Sequence, residues 1–540
     1  MKYEQTFYDK INGYQARVFV DGESKIIDNK ESAYCVKPSE DGDFVGLYGT
    51  KGKLTKASKQ DKDVVHYNTP SQMFMRKHNF NTNFKCVYLD IETHTNTVST
   101  GFPHPRQALE PISLIQLLCN DSNKVYIIGD KEFYYKDEYL KHKACEGYEV
   151  EYIHCNSERE MLLAFCDFIE REKPLVIYAW NGECFDFPYI YRRLQRNKIS
   201  VDKMSVFHKV LTHPVSMEET DPAAHIYYST LKTNGCFYID MKVVYQKMVF
   251  KKLPSYSLSV VSQQLGFDKL DHSEFKTFED FYNGIYTKPT NPTPQQQQTL
   301  CYKNYGKVSE QELKKMGYGQ FVLYGVIDVI LMHKLDTTYR LSELCGNLLN
   351  EYRTNFSTVL TTLAGWSSIL TREYEQDHIM IEPAKAEYVG GHIQGGFVRQ
   401  PVKGVKKWVV SFDVNSMYPS SIISQNMSPE VFIDDIVDYA TKNNLDVEKA
   451  KELDELVQTH INKGEVDEER YLYLADEIKE KISGLLSDLD VSFSPTGVYF
   501  SNKVEGVIPK LIRKYFNLRK QTKQSIKQKQ ILLKQLKDSL

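Results

Sequence analysis

The sequence predicts a multidomain chain of mixed α/β and α+β class, and three observations carry that prediction. Its 540 residues exceed what one hydrophobic core organises, at a prior of about 150 residues per domain. Runs rich in Val, Ile, Leu and Tyr, bounded by turn residues, alternate with stretches of helical periodicity. A hydrophobic content of 41%, with 12% aromatic, supplies enough apolar side chains for several packed interiors.

Taken in order, the first eighty-odd residues read as a small α+β module, with Ala16-Arg17-Val18-Phe19-Val20 running into the hairpin pair Asp21-Gly22. Strands follow at 86–89, 112–118 and 125–128, close enough in sequence to form hairpins of one sheet. Ser157 caps a helix whose Met161, Leu162, Phe165 and Phe168 share a face, and Val176-Ile177-Tyr178-Ala179-Trp180 returns as a buried strand. The Pro- and Gln-rich segment Thr287 to Gln298 reads as a surface loop. After Asp328 a long helical stretch through Leu335, Tyr339, Leu341 and Leu344 leads toward Gly390-Gly391. The acidic segment Asp435 to Asp488 reads as a solvent-facing helical excursion.

Composition excludes several classes. No apolar run approaches the roughly 18 residues that span a bilayer. No secretory leader follows Met1-Lys2-Tyr3-Glu4-Gln5, so a cytoplasmic chain is expected, without membrane contact. Ten cysteines without a Cys-x-x-Cys pair speak against zinc ribbons and redox pairs. The net charge of -3 hides a basic block, with ten Lys or Arg and no acid between Pro509 and Lys537. Such a block suits a solvated helix face or phosphate contact.

Chemistry concentrates in three segments. Asp90 and Glu92 in Tyr88-Leu89-Asp90-Ile91-Glu92-Thr93 lie two apart on a strand, so both side chains leave on one face. The same spacing at Asp446/Glu448 and Asp467/Glu469 lies in acidic helical sequence and gets no function. Asp186, after the turn Asn181-Gly182, opens a basic helix; alone it reads as a cap. Tyr324 and Asp328 are one helical turn apart, and a buried helical carboxylate needs a partner. Two metal ions about 4 Å apart, shared by Asp90, Glu92, Asp186 and Asp328, answer that need. One lowers the pKa of a water that Tyr324 helps aim, the other stabilises a leaving 3′ oxygen, and trimming of a DNA 3′ end follows. In this order the three segments resemble the exonuclease motifs of the Asp-Glu-Asp-Asp group with a tyrosine in the third, which implies a ribonuclease H-like sheet.

A second half-site begins at Val409-Val410-Ser411-Phe412-Asp413, read as a buried strand ending in a carboxylate, then a turn and a helix start at Pro419-Ser420-Ser421. The string Asp413-Val414-Asn415-Ser416-Met417-Tyr418-Pro419-Ser420 resembles motif A of B-family DNA polymerases, in particular the T-even-like phage replicative type. Supporting stretches are Leu47 to Lys53, Leu253-Pro254-Ser255-Tyr256-Ser257-Leu258 and Gly395-Gly396-Phe397-Val398. The resemblance implies that Asp413 holds catalytic metals, that Val414, Asn415, Ser416, Met417 and Tyr418 bind nucleotide, and that Tyr418 excludes a ribose hydroxyl. It also implies that the basic block is the first fingers helix, with Arg519 and Lys523 on the incoming triphosphate.

The domains expected on this basis are an N-terminal domain over 1–85 to which 340–384 returns, a 3′→5′ exonuclease domain over 86–339, a partial palm over 385–508, and a first fingers helix over 509–540. Two Mg²⁺ ions per site are implied, with Mn²⁺ able to substitute. The implied partners are primer-template, single-stranded 3′ ends and dNTPs, in an infected bacterial cell. No Lys-x-x-x-Asn-Ser-x-Tyr-Gly or Tyr-Gly-Asp-Thr-Asp-Ser occurs, and Ile526, Leu533 and Leu540 form a seven-residue apolar seam. The expectation is that a second polypeptide supplies the remaining palm, fingers and thumb and engages a sliding clamp, or that these residues are part of a longer chain. Two other readings stand beside this one: an exonuclease working alone, and a nucleic-acid-binding protein without catalysis.

Overall fold

The computed structural model describes residues 1–9, 13–21, 23–31, 34–46, 51–56, 66–98, 101–212, 231–381, 403–413, 416–460, 476–494 and 497–539. Their contacts form two compact units, Met1–Ser32 with Thr69–Ser368, and Ala33–Asn68 with Ile369–Leu540. Several sequence features lie outside the described residues: Gly22, residues 47–50, Gly390-Gly391, Gly395 to Val398, Val414, Asn415, Asp467, Glu469 and Leu540.

The first unit is built on an eight-stranded mixed sheet. Its order is Glu149–His154, Lys124–Gly129, Ile112–Cys119, Cys86–Thr93, Val176–Ala179, Phe237–Asp240, Lys232–Thr233, Val210–Thr212. The strands expected at 86, 112 and 125 do form consecutive hairpins. Val176–Ala179 then joins Cys86–Thr93 in parallel, a pairing that needs a crossover, and the helix Glu158–Glu172 lies within it. Ser157 caps that helix by accepting from the Glu160 amide at 3.3 Å.

The period-two alternation of Cys86–Thr93 sorts its side chains between two cores. Val87, Leu89 and Ile91 join Leu162, Phe165 and Ile190 on one face. Tyr88 joins Phe321, Val322 and Val326 on the other. Asp90 and Glu92 share the phase of Tyr88, so they face the Glu310–Tyr339 helix that carries Tyr324 and Asp328. That helix has the length and apolarity to cross a membrane, but its most apolar window is wholly buried here. It is therefore the core helix of this unit.

The N-terminal strands are tied to the same sheet region. Gly13–Val20 and Glu23–Asp28 pair across Asp21, whose φ of +53° is the left-handed value that the turn requires. Arg17, buried, pairs with Glu4 at 2.8 Å and donates to the carbonyls of Lys173 and Pro174 at the entrance to Val176–Ala179.

The second unit contains a five-stranded sheet, in the order Ile379–Met380, Phe44–Gly46, Lys51–Lys56, Tyr34–Pro38, His66–Asn68. A three-stranded sheet, Phe432–Ile433, Tyr499–Ser501, Val491–Phe493, carries the acidic segment. The described part of that segment is helical, over Ile436–Lys442, Val447–His460 and Asp476–Asp488, but it is not a bare excursion, and residues 461–475 lie outside the described residues. Ile436, Ala440, Leu453, Val457 and Leu485 bury against Val491 and Tyr499, giving it a core of its own.

Two further expectations are corrected. Within Thr287 to Gln298, Pro294–Gln298 is a short helix with a capping box at Thr293, and Gln296 is buried where it donates to Ser273 and Glu274. Residues 409–413 are not a buried strand. No described strand pairs with them, and Val409, Val410 and Phe412 are 73%, 72% and 92% exposed. An apolar run becomes a strand only where a neighbour takes its backbone hydrogen bonds.

Candidate functional site: a carboxylate cleft

Four elements meet where the Cys86–Thr93 strand faces the Glu310–Tyr339 helix. Carboxylate oxygens of Asp90, Glu92 and Asp328 all lie within 4.8 Å of one another. Asp328 is 3% exposed. Asp186, the first residue of the Asp186–Arg196 helix, is also 3% exposed and comes from the far face of the sheet. It lies outside that closest trio, yet its charge acts on Glu92 and the charge of Asp90 acts on it. All four expected carboxylates therefore belong to one electrostatic cluster, and three of them could share a single ion.

Burial is the leading force on each of these acids. It lifts the Asp90 carboxyl from 3.8 to about 7, with the charge of Asp328 adding to the effect. Glu92 is raised well above the carboxylate range, by burial first and by Asp90 second. Asp186 is raised in the same way. Asp328 is raised by burial, against the pull of Lys269.

Lys269 is the residue that the sequence did not disclose. Its ammonium sits 2.6 Å from Asp328 Oδ2 and 4.3 Å from the centre of the Tyr324 ring. Burial opposes its charge, but Asp328 beside it holds the ammonium above its ordinary value. It follows Gly266, whose φ is +73°, in a stretch without periodicity, so only closure of the fold reveals it. Tyr324 is 8% exposed and packs edge-on against His272, Phe278 and Phe281, which fixes the direction of its ring. Burial, then the Asp328 charge, raises its hydroxyl.

These residues fit divalent cations. One ammonium cannot balance four clustered carboxylates, Asp186 and Asp328 buried and Asp90 and Glu92 half-buried, and among the described residues Asp328 Oδ1 has no hydrogen-bond partner. All are hard oxygen donors, the type that magnesium and manganese take. Asp90, Asp328 and Lys269 open into a cleft of about 620 Å³ whose other walls include Trp180, Lys242 and Tyr256.

The second half-site is less assembled. Asp413 is exposed, Ser416 turns the chain at a φ of +55°, and Tyr418 is 70% exposed on the Met417–Ser424 helix. Arg519 and Lys523 are exposed on the Val507–Ser539 helix, which packs against Met417–Ser424. Asn426 joins the two by donating to the carbonyls of Ser501 and Val504 and accepting from the Gly506 amide. Glu430 and Ser428 cap the long helix at Val507 and Ile508, where a carboxylate meets the positive end of the helix dipole.

Comparison with known proteins bears on both regions. A family model described as "DNA polymerase family B, exonuclease domain" matches residues 48–261, and one described as "DNA polymerase family B" matches residues 356–539. The DNA-directed DNA polymerase of Escherichia phage RB69 is 23% identical over 460 residues, 82% of this chain and 42% of that protein. The DNA-directed DNA polymerase of Enterobacteria phage T4 is 24% identical over 384 residues, 70% of this chain and 34% of that one. A DNA polymerase of Pyrococcus glycovorans is 24% identical over 287 residues, 51% of this chain and 31% of that protein. The chain thus spans less than half the length of these curated relatives. Two models of one family, together covering most of the chain and agreeing with polymerases of phage and archaeal origin, support a single assignment: the chain belongs to the B family of DNA polymerases.

Proposed function

We propose that the carboxylate cleft is a 3′→5′ exonuclease centre on a ribonuclease H-like sheet, and that the chain contributes it to a phage replicative DNA polymerase. The observation that carries this reading is the approach of Asp90, Glu92 and Asp328 to within 4.8 Å of one another, with Asp90 and Asp328 lining a cleft. Asp90, Glu92, Asp328 and, from across the sheet, Asp186 would hold two magnesium ions, with manganese able to substitute. Such ions supply a water of lowered pKa and neutralise charge on a leaving oxygen. Lys269 donates to Asp328 and so favours its ionised form against the effect of burial. Tyr324, its ring held by three aromatic neighbours, aims its hydroxyl at the attacking water.

In the polymerase half, Asp413 would hold metal and Tyr418 would lie beneath the incoming sugar as a gate against ribonucleotides. Residues 414–417 would line the nucleotide site, and Arg519 and Lys523 would meet the triphosphate. The proposed domains are 1–85 with 340–384, 86–339, 385–508 and 509–540. Primer-template and dNTPs would be the substrates, in the cytoplasm of an infected bacterium. The remaining polymerase carboxylates would come from sequence beyond these 540 residues, in a longer chain or a second polypeptide, through which a sliding clamp would be engaged.

The test is degradation of a 5′-labelled single strand by this chain with magnesium. Replacing Asp90 and Glu92 together by Ala should lower the rate at least about a hundred-fold, because each site ligand underwrites several kcal/mol of barrier lowering. Strand binding in EDTA, read by fluorescence anisotropy, should persist. Undiminished degradation by the double variant would refute the metal assignment.

A further inference from the structure

One wall of the cleft continues into a feature that the nuclease chemistry does not use. Between the Met241–Met248 and Leu258–Gln263 helices the chain runs as a loop, and at its tip Phe250 is 99% exposed. Lys251, Lys252, Pro254 and Ser255 are exposed with it. The loop is fixed to the cleft wall: Tyr256 donates its hydroxyl to the Lys251 carbonyl at 3.1 Å, and the Trp180 indole donates to the Tyr256 carbonyl at 3.0 Å. Tyr256 and Trp180 both line the cleft.

Apart from Asp90 and Asp328, the charged residues that line the cleft are Lys242 and Lys269, and the Asp240 carboxylate stands near enough to feel the Lys242 charge. Beyond Asp90 and Asp328 no carboxylate among the described residues lines the cleft, whereas Lys242 does, its ammonium held by a neutral amide oxygen of Asn181 at 2.8 Å. Lys251 likewise donates to an amide oxygen, that of Gln264 at 2.6 Å. The phenyl ring of Phe250 is fully exposed, and the two residues that follow it, Lys251 and Lys252, are exposed lysines. That is the pattern of a site that stacks bases and tracks a phosphate backbone.

We infer that Phe250 is a stacking platform for single-stranded DNA, with Lys252 and Lys242 on the phosphates, receiving the strand a few nucleotides upstream of the end held at Asp90 and Asp328. This rests on the nuclease reading of the cleft and adds the path of the strand to it. Phe250 is a positioning residue, without contact to the reacting atoms.

The experiment uses the full chain and a ten-nucleotide deoxythymidine strand bearing one 2-aminopurine, titrated in EDTA so that no hydrolysis occurs. Stacking quenches the fluorophore. Phe250→Ala should abolish the quenching at one position of the label and weaken binding about five-fold to a hundred-fold, the range for loss of a base–aromatic stack, while Phe250→Trp should retain both. With magnesium, Phe250→Ala should raise KM for the strand and leave kcat in place. Because the ring buries nothing, the variant should fold, which circular dichroism checks. Equal quenching and affinity in Phe250→Ala and the unmodified chain would overturn the inference. So would concentration-dependent dimerisation that Phe250→Ala abolishes without altering strand binding, since the ring would then serve a second copy. Phe250-dependent quenching in a chain that degrades no strand with magnesium would sustain the platform and sink the nuclease reading.

Discussion

Burial and the charge of Asp328 hold Asp90 at about 7 against its ordinary 3.8, and that shift has a pH dependence with a definite sign. Between those two values the folded, metal-free chain binds more protons than the unfolded one, so stability falls as pH rises through the window. Below it both states are protonated and the penalty vanishes. Thermal melting in EDTA should therefore show a midpoint that drops across this interval. Magnesium should restore it by an amount that grows with pH, because binding displaces protons from the carboxylates. Glu92→Gln, which removes one of the like charges, should flatten the drop and remove most of the magnesium effect. A midpoint in EDTA that rises with pH would contradict the burial of these acids. Asp90 and Glu92 were legible in the sequence because strand periodicity alone sends both to one face. Lys269 was not, since its 2.6 Å approach to Asp328 joins elements that no local pattern relates.

The placement of Tyr324 and Asp328 depends on how closely one helix approaches one strand. A Cβ at Gly325 would lie 2.2 Å from Gln116 Nε2, on the strand that pairs Gln116 with Asp90. Gly325→Ala should push the helix outward, costing about 1–3 kcal/mol in urea unfolding, and should slow magnesium-dependent degradation by moving Asp328 away from Asp90 and Glu92. Unchanged stability and rate would show that Gln116 yields without disturbing the helix. Long periodic elements of this kind were readable, as was the Ser157 cap. The 409–413 segment was misread because Val409, Val410 and Phe412 have the composition of a buried strand without a described partner. Thr293 and Gln296 were passed over because four consecutive glutamines show no apolar face, although the capping box and the acceptor at Glu274 suffice to order them.

Across the whole molecule, the residues of the proposed trimming site lie within the first unit, while those of the proposed synthetic site lie in the second. A chain of these 540 residues should degrade a single strand and fail to extend a primer. Adding a polypeptide that carries the two absent polymerase motifs should restore extension, and in that mixture Tyr418→Ala should admit ribonucleotides. Unchanged sugar discrimination, measured by incorporation of rNTPs against dNTPs, would refute the gate. The sequence reading expected 340–384 to return to 1–85, and Ile379–Met380 pairs with Phe44–Gly46; that residues 33–68 part from 1–32 and group with 369–540 was not visible, because only contacts summed over the closed chain decide it.

What the sequence determined by itself is what repeats at short range: strand and helix periods, a cap, and the spacing that sets Asp90 beside Glu92 and Tyr324 above Asp328. What the tertiary structure decided is which of these patterns meet. Lys269 against Asp328, Gly325 against Gln116 and the ring of Phe250 left outside all follow from the closure of distant segments. That closure is selected by burial summed over a whole core, a quantity that no local window of residues contains.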